Sequence, residues 1–325
     1  MPSLPTSPAT TPREHGGDYA QARLKYGGAA SDWLDLSTGI NPRPYPVGPL
    51  SPAAWTVLPP AQAMRDLCAA AAATYHAPKG ATVLPAGGVS ALIGVIPSLL
   101  PPGTVYIPGP TYNEHAAAFA AHGWRQVDAP DQADVTVIVH PNNPDGHLWA
   151  DPPRGRHLTI IDESFADVVP SSLMPLASEP GMIVLRSFGK FYGLAGVRLG
   201  FAVLSDTGAP ALADRLGPWP VSGMAAELGS LALRDTDWAA QTRLRLARDA
   251  ERLDGLVLSR GARLVGGTTL FRLYEVEEAA AWQAQLARHH VWSRVFSYAP
   301  GWLRLGLPDG DARWQQLETA LAACP

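Results

Sequence analysis

Lysine is nearly missing from this sequence. Of 25 Lys and Arg residues in 325, only Lys25, Lys79 and Lys190 are lysines. Cysteine is equally scarce. Cys68 and Cys324 lie far apart in the chain, which excludes a disulfide framework and suits a reducing cytoplasm. Cys68 falls in an alanine-rich helical pattern and reads as a small core residue, not a nucleophile. No apolar run reaches the roughly 20 residues of a membrane span. VSALIGVIPSLL at 89–100 is short, is interrupted by Pro97, and reads as a buried helix. The opening MPSLPTSPATTPREHGG lacks the basic region and apolar stretch of a secretory signal. Its Pro, Ser and Thr content predicts a frayed arm over about the first dozen residues. Net charge is −4, and no Lys/Arg run is interleaved with aromatics. Nucleic acid is therefore not expected as a partner, no membrane is expected, and no metal is assigned.

What is present is an alternation of helix and strand. AQAMRDLCAAAAATYH (61–76), VSALIGVIPSLL (89–100) and NEHAAAFAAHG (113–123) read as helices. Between and after them come short apolar strands: ATVLPAGG at 81–88, TVYIPGP at 104–110, DVTVIV from 134, HLTIIDESF at 157–165, GMIVLRSFGK at 181–190 and GVRLGFAVL at 196–204. Continuous apolar strands separated by helices predict a largely parallel sheet covered on both faces, a three-layer α/β domain. The pattern then changes. A long amphipathic helix at 238–261 is followed by strands at 268–276, 289–296 and 302–307 and a closing helix, which predicts a smaller α+β domain. The expected division is an N-terminal arm packing with the small domain (1–47), a large domain (48–210) and the small domain (211–325).

In an open α/β sheet, ligands bind beyond the carboxyl ends of the strands. Four such ends carry polar or glycine-rich signals: PAGGVS, PNNPDG, DES and SFGK. Asp162 closes a buried strand, where a carboxylate is costly unless paired. It reads as a helix N-cap, as a magnesium ligand of Walker-B type, or as the partner of a cationic ring nitrogen. The magnesium reading requires GxxxxGK(S/T), which is absent. Lys190 sits among Phe188, Phe191 and Tyr192. Such surroundings lower an amine's pKa and make it a nucleophile able to form a Schiff base. Arginine cannot take that role, because it does not deprotonate in proteins. An acid and an amine at one sheet edge are what pyridoxal phosphate requires. GGVS at the start of a helix offers N–H groups to its phosphate, and Ser187 and Arg198 can add bonds.

These residues resemble the fold type I pyridoxal-phosphate enzymes, in the branch around histidinol-phosphate aminotransferase. The resemblance rests on Ser187-x-x-Lys190 with Arg198 eight residues on, on HPNNPDG, and on the order GG, PTY, NNPDG, DE, SFGK across about 80–205. It implies that Lys190 holds the cofactor and Asp162 pairs with its ring nitrogen. Asn143 would meet its phenolic oxygen and substrate, and Tyr112 would stack on the ring. Gly88, Val89, Ser187 and Arg198 would hold the phosphate. Arg304 in WLRLGLP would clamp the substrate carboxylate; it reads otherwise as a surface strand arginine. Two positions depart from the family pattern. Phe165 stands where a tyrosine often bonds the phenolic oxygen. Leu58-Pro59-Pro60 stands where a partner subunit's tyrosine often reaches the phosphate.

The arm adds a second likeness. REHGGDYAQARLKYG (13–27) and WLDLSTGINPRPYP (33–46) look like the N-terminal arm of the L-threonine-O-3-phosphate decarboxylases of cobalamin biosynthesis. That likeness implies a phosphorylated amino acid substrate, loss of CO2 and a homodimer. His15 and Gly16, Thr38 or Asn41, and Arg294 in VWSRVF are the candidates for the substrate phosphate. His15 reads equally as an ordinary exposed histidine near a terminus. No single residue separates decarboxylation from amino transfer, so a histidinol-phosphate-type aminotransferase stays open beside it. A non-catalytic pyridoxal-phosphate sensor lacks room here for a DNA-binding domain, and a structural role leaves the polar loops unexplained.

Overall fold

The computed structural model describes residues 15–325. The frayed stretch expected at the start, with Arg13 and Glu14 of REHGG, lies outside the described residues. The strands in chain order are β1 (Leu34–Asp35), β2 (Ala81–Ala86), β3 (Thr104–Tyr106), β4 (Arg125–Val127), β5 (Val135–Val139), β6 (Leu158–Asp162), β7 (Met182–Ser187), β8 (Gly200–Ser205), β9 (Arg263–Thr268), β10 (Phe271–Glu275), β11 (Val291–Trp292), β12 (Arg294–Phe296) and β13 (Ala299–Gly306). The helices are α1 (Ala20–Tyr26), α2 (Ala53–Thr56), α3 (Ala61–Thr74), α4 (Val89–Val95), α5 (Asn113–Ala121), α6 (Phe188–Phe191), α7 (Ala209–Leu216), α8 (Gly223–Arg234), α9 (Thr236–Leu258), α10 (Ala279–Arg288) and α11 (Asp311–Ala322).

Seven strands form one sheet in the order β2-β8-β7-β6-β5-β3-β4. β5 to β8 are buried along their whole length, so both faces need cover. Val137, Ile160, Ile183 and Leu185 pack on one side with residues of α4, α5 and α7. Ile138, Ile161 and Val184 pack on the other with residues of α3, α8 and α9. β3 to β7 run parallel. The strand expected over 196–204 is β8, and it runs antiparallel to both neighbours. The strand expected over 104–110 stops at Tyr106, because Pro108 and Pro110 have no N–H to give a ladder.

The smaller sheet has the order β12-β13-β10-β9, with α10 and part of α9 against it. The single strand expected over 268–276 is instead the end of β9, a tight turn, and β10. Thr268 Oγ1 accepts from Leu270 N at 3.1 Å and closes that turn. The N-terminal segment is tied into this region. β1 pairs in parallel with β11, and Gly306 N donates to Leu36 O at 2.7 Å. Helix α8 packs on α3, with Thr74 Oγ1 donating to Leu233 O at 2.7 Å. It thus lies with the larger sheet, although it follows residue 210.

Candidate active site

β2, β5, β6 and β7 all point the same way, since β8 is antiparallel to both β2 and β7. Their carboxyl ends release the four polar loops at one edge, and the loops enclose a cleft. Gly88, Val89, Tyr112 and Asn143 line it, facing Asp162, Ser187, Lys190 and Arg198. All eight residues expected around a cofactor are therefore brought together.

Asp162 ends β6 and is buried. Its Oδ1 accepts from Ser164 N at 2.9 Å and Ser164 Oγ at 2.5 Å. Its Oδ2 lies 2.9 Å from His115 Nε2, and since a carboxylate only accepts, His115 donates. Burial alone would raise the Asp162 pKa, but the bonds from His115 and Ser164 overcome it and hold the carboxyl below its usual range. His115 is the site residue that sequence reasoning missed. One signal was available: it stands three residues after Tyr112, so one helical turn brings both to the same side of α5.

Lys190 sits on α6, with Ser187 at the N-cap. Its Nζ lies 5.5 Å over the Phe165 ring. Burial first, then the charge of Arg304, lowers its pKa to about 8, against the opposing pull of Asp162. Across the cleft Gly88 has φ 84°, and a Cβ there would lie 2.6 Å from Arg198 Nη2. Glycine at this position is what lets the α4 terminus and the Arg198 guanidinium share one small space. The Asn143 loop is braced in a similar way. A Cβ on Gly146 would come within 2.1 Å of Gly267 O in β9, so the loop rests directly on the smaller sheet.

A second cavity opens from the first and shares Tyr112, Asn143, Phe165 and Lys190 with it. His15, Gly16, Thr38, Arg294 and Arg304 line its far side. Arg304 is buried on β13. Its Nη2 donates to Ser37 O at 2.7 Å and its Nη1 to Asn143 Oδ1. Its guanidinium lies 5.2 Å over the Phe271 ring. Its Nε has no hydrogen-bond partner among the described residues. Burial, then the charge of Arg294, lowers the Arg304 pKa to about 10. His15 Nε2 lies 3.1 Å from Glu114 Oε1.

Asn41 is placed elsewhere. It is buried; its Nδ2 donates to Phe191 O at 2.8 Å, and its Oδ1 accepts from Arg245 Nη2 at 2.7 Å. Its amide is used in packing α9 against the Lys190 helix, which corrects its expected role at the substrate. His140 also serves a local need: its Nδ1 accepts from Trp149 N at 3.0 Å.

The donor set fits pyridoxal phosphate. A low-pKa amine, an ionised buried acid, an aromatic ring and a glycine–arginine cradle surround one cleft. Residues 51–323 match the family model of aminotransferase class I and II. The chain belongs to this family. A "threonine-phosphate decarboxylase" of Sinorhizobium sp is 40% identical over 96% of this chain and 98% of its own. One from Pseudomonas aeruginosa is 39% identical over 95% and 97%. Among solved structures, histidinol-phosphate aminotransferase from Sinorhizobium meliloti, in complex with pyridoxal-5'-phosphate, superposes with a TM-score of 0.75. It shares 20% identity and covers 98% of this chain and 94% of its own. Class I and II aminotransferases thus account for the fold. The first cavity is lined by the residues that fit the cofactor, and the second by Arg294 and Arg304.

Proposed function

We propose that this protein uses pyridoxal phosphate to convert L-threonine O-3-phosphate to (R)-1-amino-2-propanol O-phosphate and CO2, a step of cobalamin biosynthesis. One observation carries the reading: a cavity that begins at Lys190 ends among Arg304, Arg294 and His15. A substrate with two anionic groups suits it, and two relatives at about 40% identity carry that activity in their names.

Bound pyridoxal phosphate supplies an electron-withdrawing ring that accepts the electron pair left when CO2 departs. The chain's residues do the rest. Lys190, with its pKa near 8, supplies the amine that holds the cofactor and a proton donor close to the reacting carbon. Asp162 stays ionised against its burial because His115 and Ser164 donate to it, so it can keep the ring nitrogen protonated. Arg304, fixed by Ser37 and Asn143, lines the cavity and is the cation that would meet the carboxylate. Arg294, His15, Gly16 and Thr38 surround the place left for the phosphate. Residues holding both anions would fix the substrate's orientation, and with it which bond at Cα is cleaved.

The reading includes a homodimer and a cytoplasmic location. Trp55, Val57, Leu58 and Leu231 are exposed beside the groove between α2 and α8, and a second copy would cover them. Cys68 and Cys324 are free thiols, as a reducing compartment keeps them. The domain plan in this reading is an arm (1–47), a large domain from 48 that takes in α8 beyond the expected boundary at 210, and a small domain after it.

The test is an assay with L-threonine O-3-phosphate and pyridoxal phosphate, without any 2-oxo acid, scoring CO2 and the amine. Repeated turnover is expected. Absence of CO2, with 2-oxoglutarate-dependent transfer from histidinol phosphate, would replace the reading with an aminotransferase.

A further inference from the structure

The last rung between β6 and β7 pairs Asp162 with Leu185, and Glu163 N donates to Leu185 O at 2.9 Å. Beyond it the two segments part: Asp162 ends β6, and Ser187 and Lys190 follow along the other. Alternation along a strand turns the neighbours of these residues away from the cleft, and neither Glu163 nor Arg186 lines it. There the two neighbours meet. Arg186 Nη1 donates to Glu163 Oε2 at 2.9 Å, and Arg186 Nη2 lies 3.1 Å from Asp167 Oδ1. All three side chains are buried. Glu163 also accepts from Ser172 Oγ at 2.7 Å and from Leu173 N. The Arg186 guanidinium lies 4.4 Å over the Tyr75 ring. The cluster reaches α9 as well: Arg243 Nε donates to Asp167 O at 2.6 Å, and its guanidinium lies 5.0 Å over Phe191, next to Lys190.

A buried ion network is no better at stabilising a core than apolar side chains of the same volume. Its position therefore matters more than its energy. We propose that Arg186 is a positioning residue, whose fork joins Glu163 to Asp167 behind the sheet and so fixes the spacing between Asp162 and Lys190 around the cofactor. The planar fork suits the task, because from β7 it meets two carboxylates of the segment after β6 at once, and an ammonium cannot reproduce that geometry. Arg186 Nε, Asp167 Oδ2 and the Tyr75 hydroxyl have no hydrogen-bond partner among the described residues. A replacement that releases either carboxylate strands a charge in the core.

The test compares Arg186→Lys with Asp254→Asn. Asp254 pairs with Arg272 at 2.7 Å and accepts from Tyr274 Oη at 2.7 Å, and none of the three lines either cavity. Both variants should lose thermal stability. Only Arg186→Lys should also weaken pyridoxal phosphate binding, measured as a Kd by absorbance titration, by about tenfold or more. It should lower kcat of the holoenzyme by about 10- to 100-fold with KM little changed, as a misplaced reacting group does. Glu163→Gln, which leaves the Asp167 pair in place, should shift Kd in the same direction by less, and it substitutes if Arg186→Lys does not fold. A wild-type Kd in a less stable Arg186→Lys or Glu163→Gln protein would overturn the proposal. So would an equal loss of affinity in Asp254→Asn. The Kd comparison does not depend on which substrate the enzyme takes, so failure of the decarboxylase reading would show separately, in the wild type.

Discussion

Lys190 should weaken the protein that carries it. Its amine is pushed from an ordinary 10.5 to about 8, first by burial and then by Arg304. That difference of roughly 2.5 units corresponds to about 3 kcal/mol at ~1.36 kcal/mol per unit. The sign follows from proton binding. Below pH 8 the ammonium is charged in both folded and unfolded chains, and the folded chain carries the full penalty. Between about pH 8 and 10.5 the unfolded chain binds more protons, so stability rises with pH on account of this group. Lys190→Met keeps the length of the side chain and removes the charge. In the cofactor-free protein the variant should be more stable than wild type by about 3 kcal/mol near pH 7. The same shift leaves less than about 1 kcal/mol near pH 10. Urea unfolding of both proteins at the two pH values measures the difference directly. Any gain from methionine packing is independent of pH and cancels in the comparison. A difference between the proteins that does not change from pH 7 to pH 10 would refute the reasoning, since Lys190 would then titrate alike in both states.

Three further perturbations test single contacts. His115→Phe removes the donor to Asp162 Oδ2, leaving only Ser164 to oppose the burial that pushes that carboxyl up. Its charge should then be lost at higher pH than in wild type, so the rise in the Kd of pyridoxal phosphate should be steeper at about pH 6 than at about pH 8; an equal ratio at both would count against the role. Gly88→Ala places a methyl 2.6 Å from Arg198 Nη2 at φ 84°. It should weaken cofactor binding by about tenfold for a stability loss of about 1 kcal/mol, and unchanged affinity would exclude the shared cradle. Asn41→Ala strands Phe191 O and Arg245 and should cost about 1–3 kcal/mol of stability with an unchanged KM for the phosphorylated substrate. A raised KM at full stability would return Asn41 to the substrate site.

The parts of the site legible in the sequence share one physical cause. A strand buried on both faces must be apolar, so a polar residue at its carboxyl end stands out: Asp162 after LTII, Asn143 after VTVIVHPN, Ser187 and Lys190 after MIVLR. Parallel strands then bring those ends to one edge without further information. What escaped reading depends on pairing across the chain. His115 sits on an alanine-rich helix and gains its meaning from a carboxylate 47 positions away. Glu163 and Arg186 adjoin Asp162 and Ser187 in sequence, and Glu163 stands in the DE motif, yet no motif reports that the two pair with each other away from the cleft. Asn41 shows the reverse. In STGINP it looks like a loop residue free to meet a phosphate, but Arg245, 204 positions later, claims its oxygen. The two-residue β1 carries no periodicity of its own; its pairing with β11 places Ser37 where its carbonyl accepts from Arg304. The N-terminal segment therefore helps build the carboxylate clamp through a backbone oxygen, an atom every residue has and no sequence pattern marks.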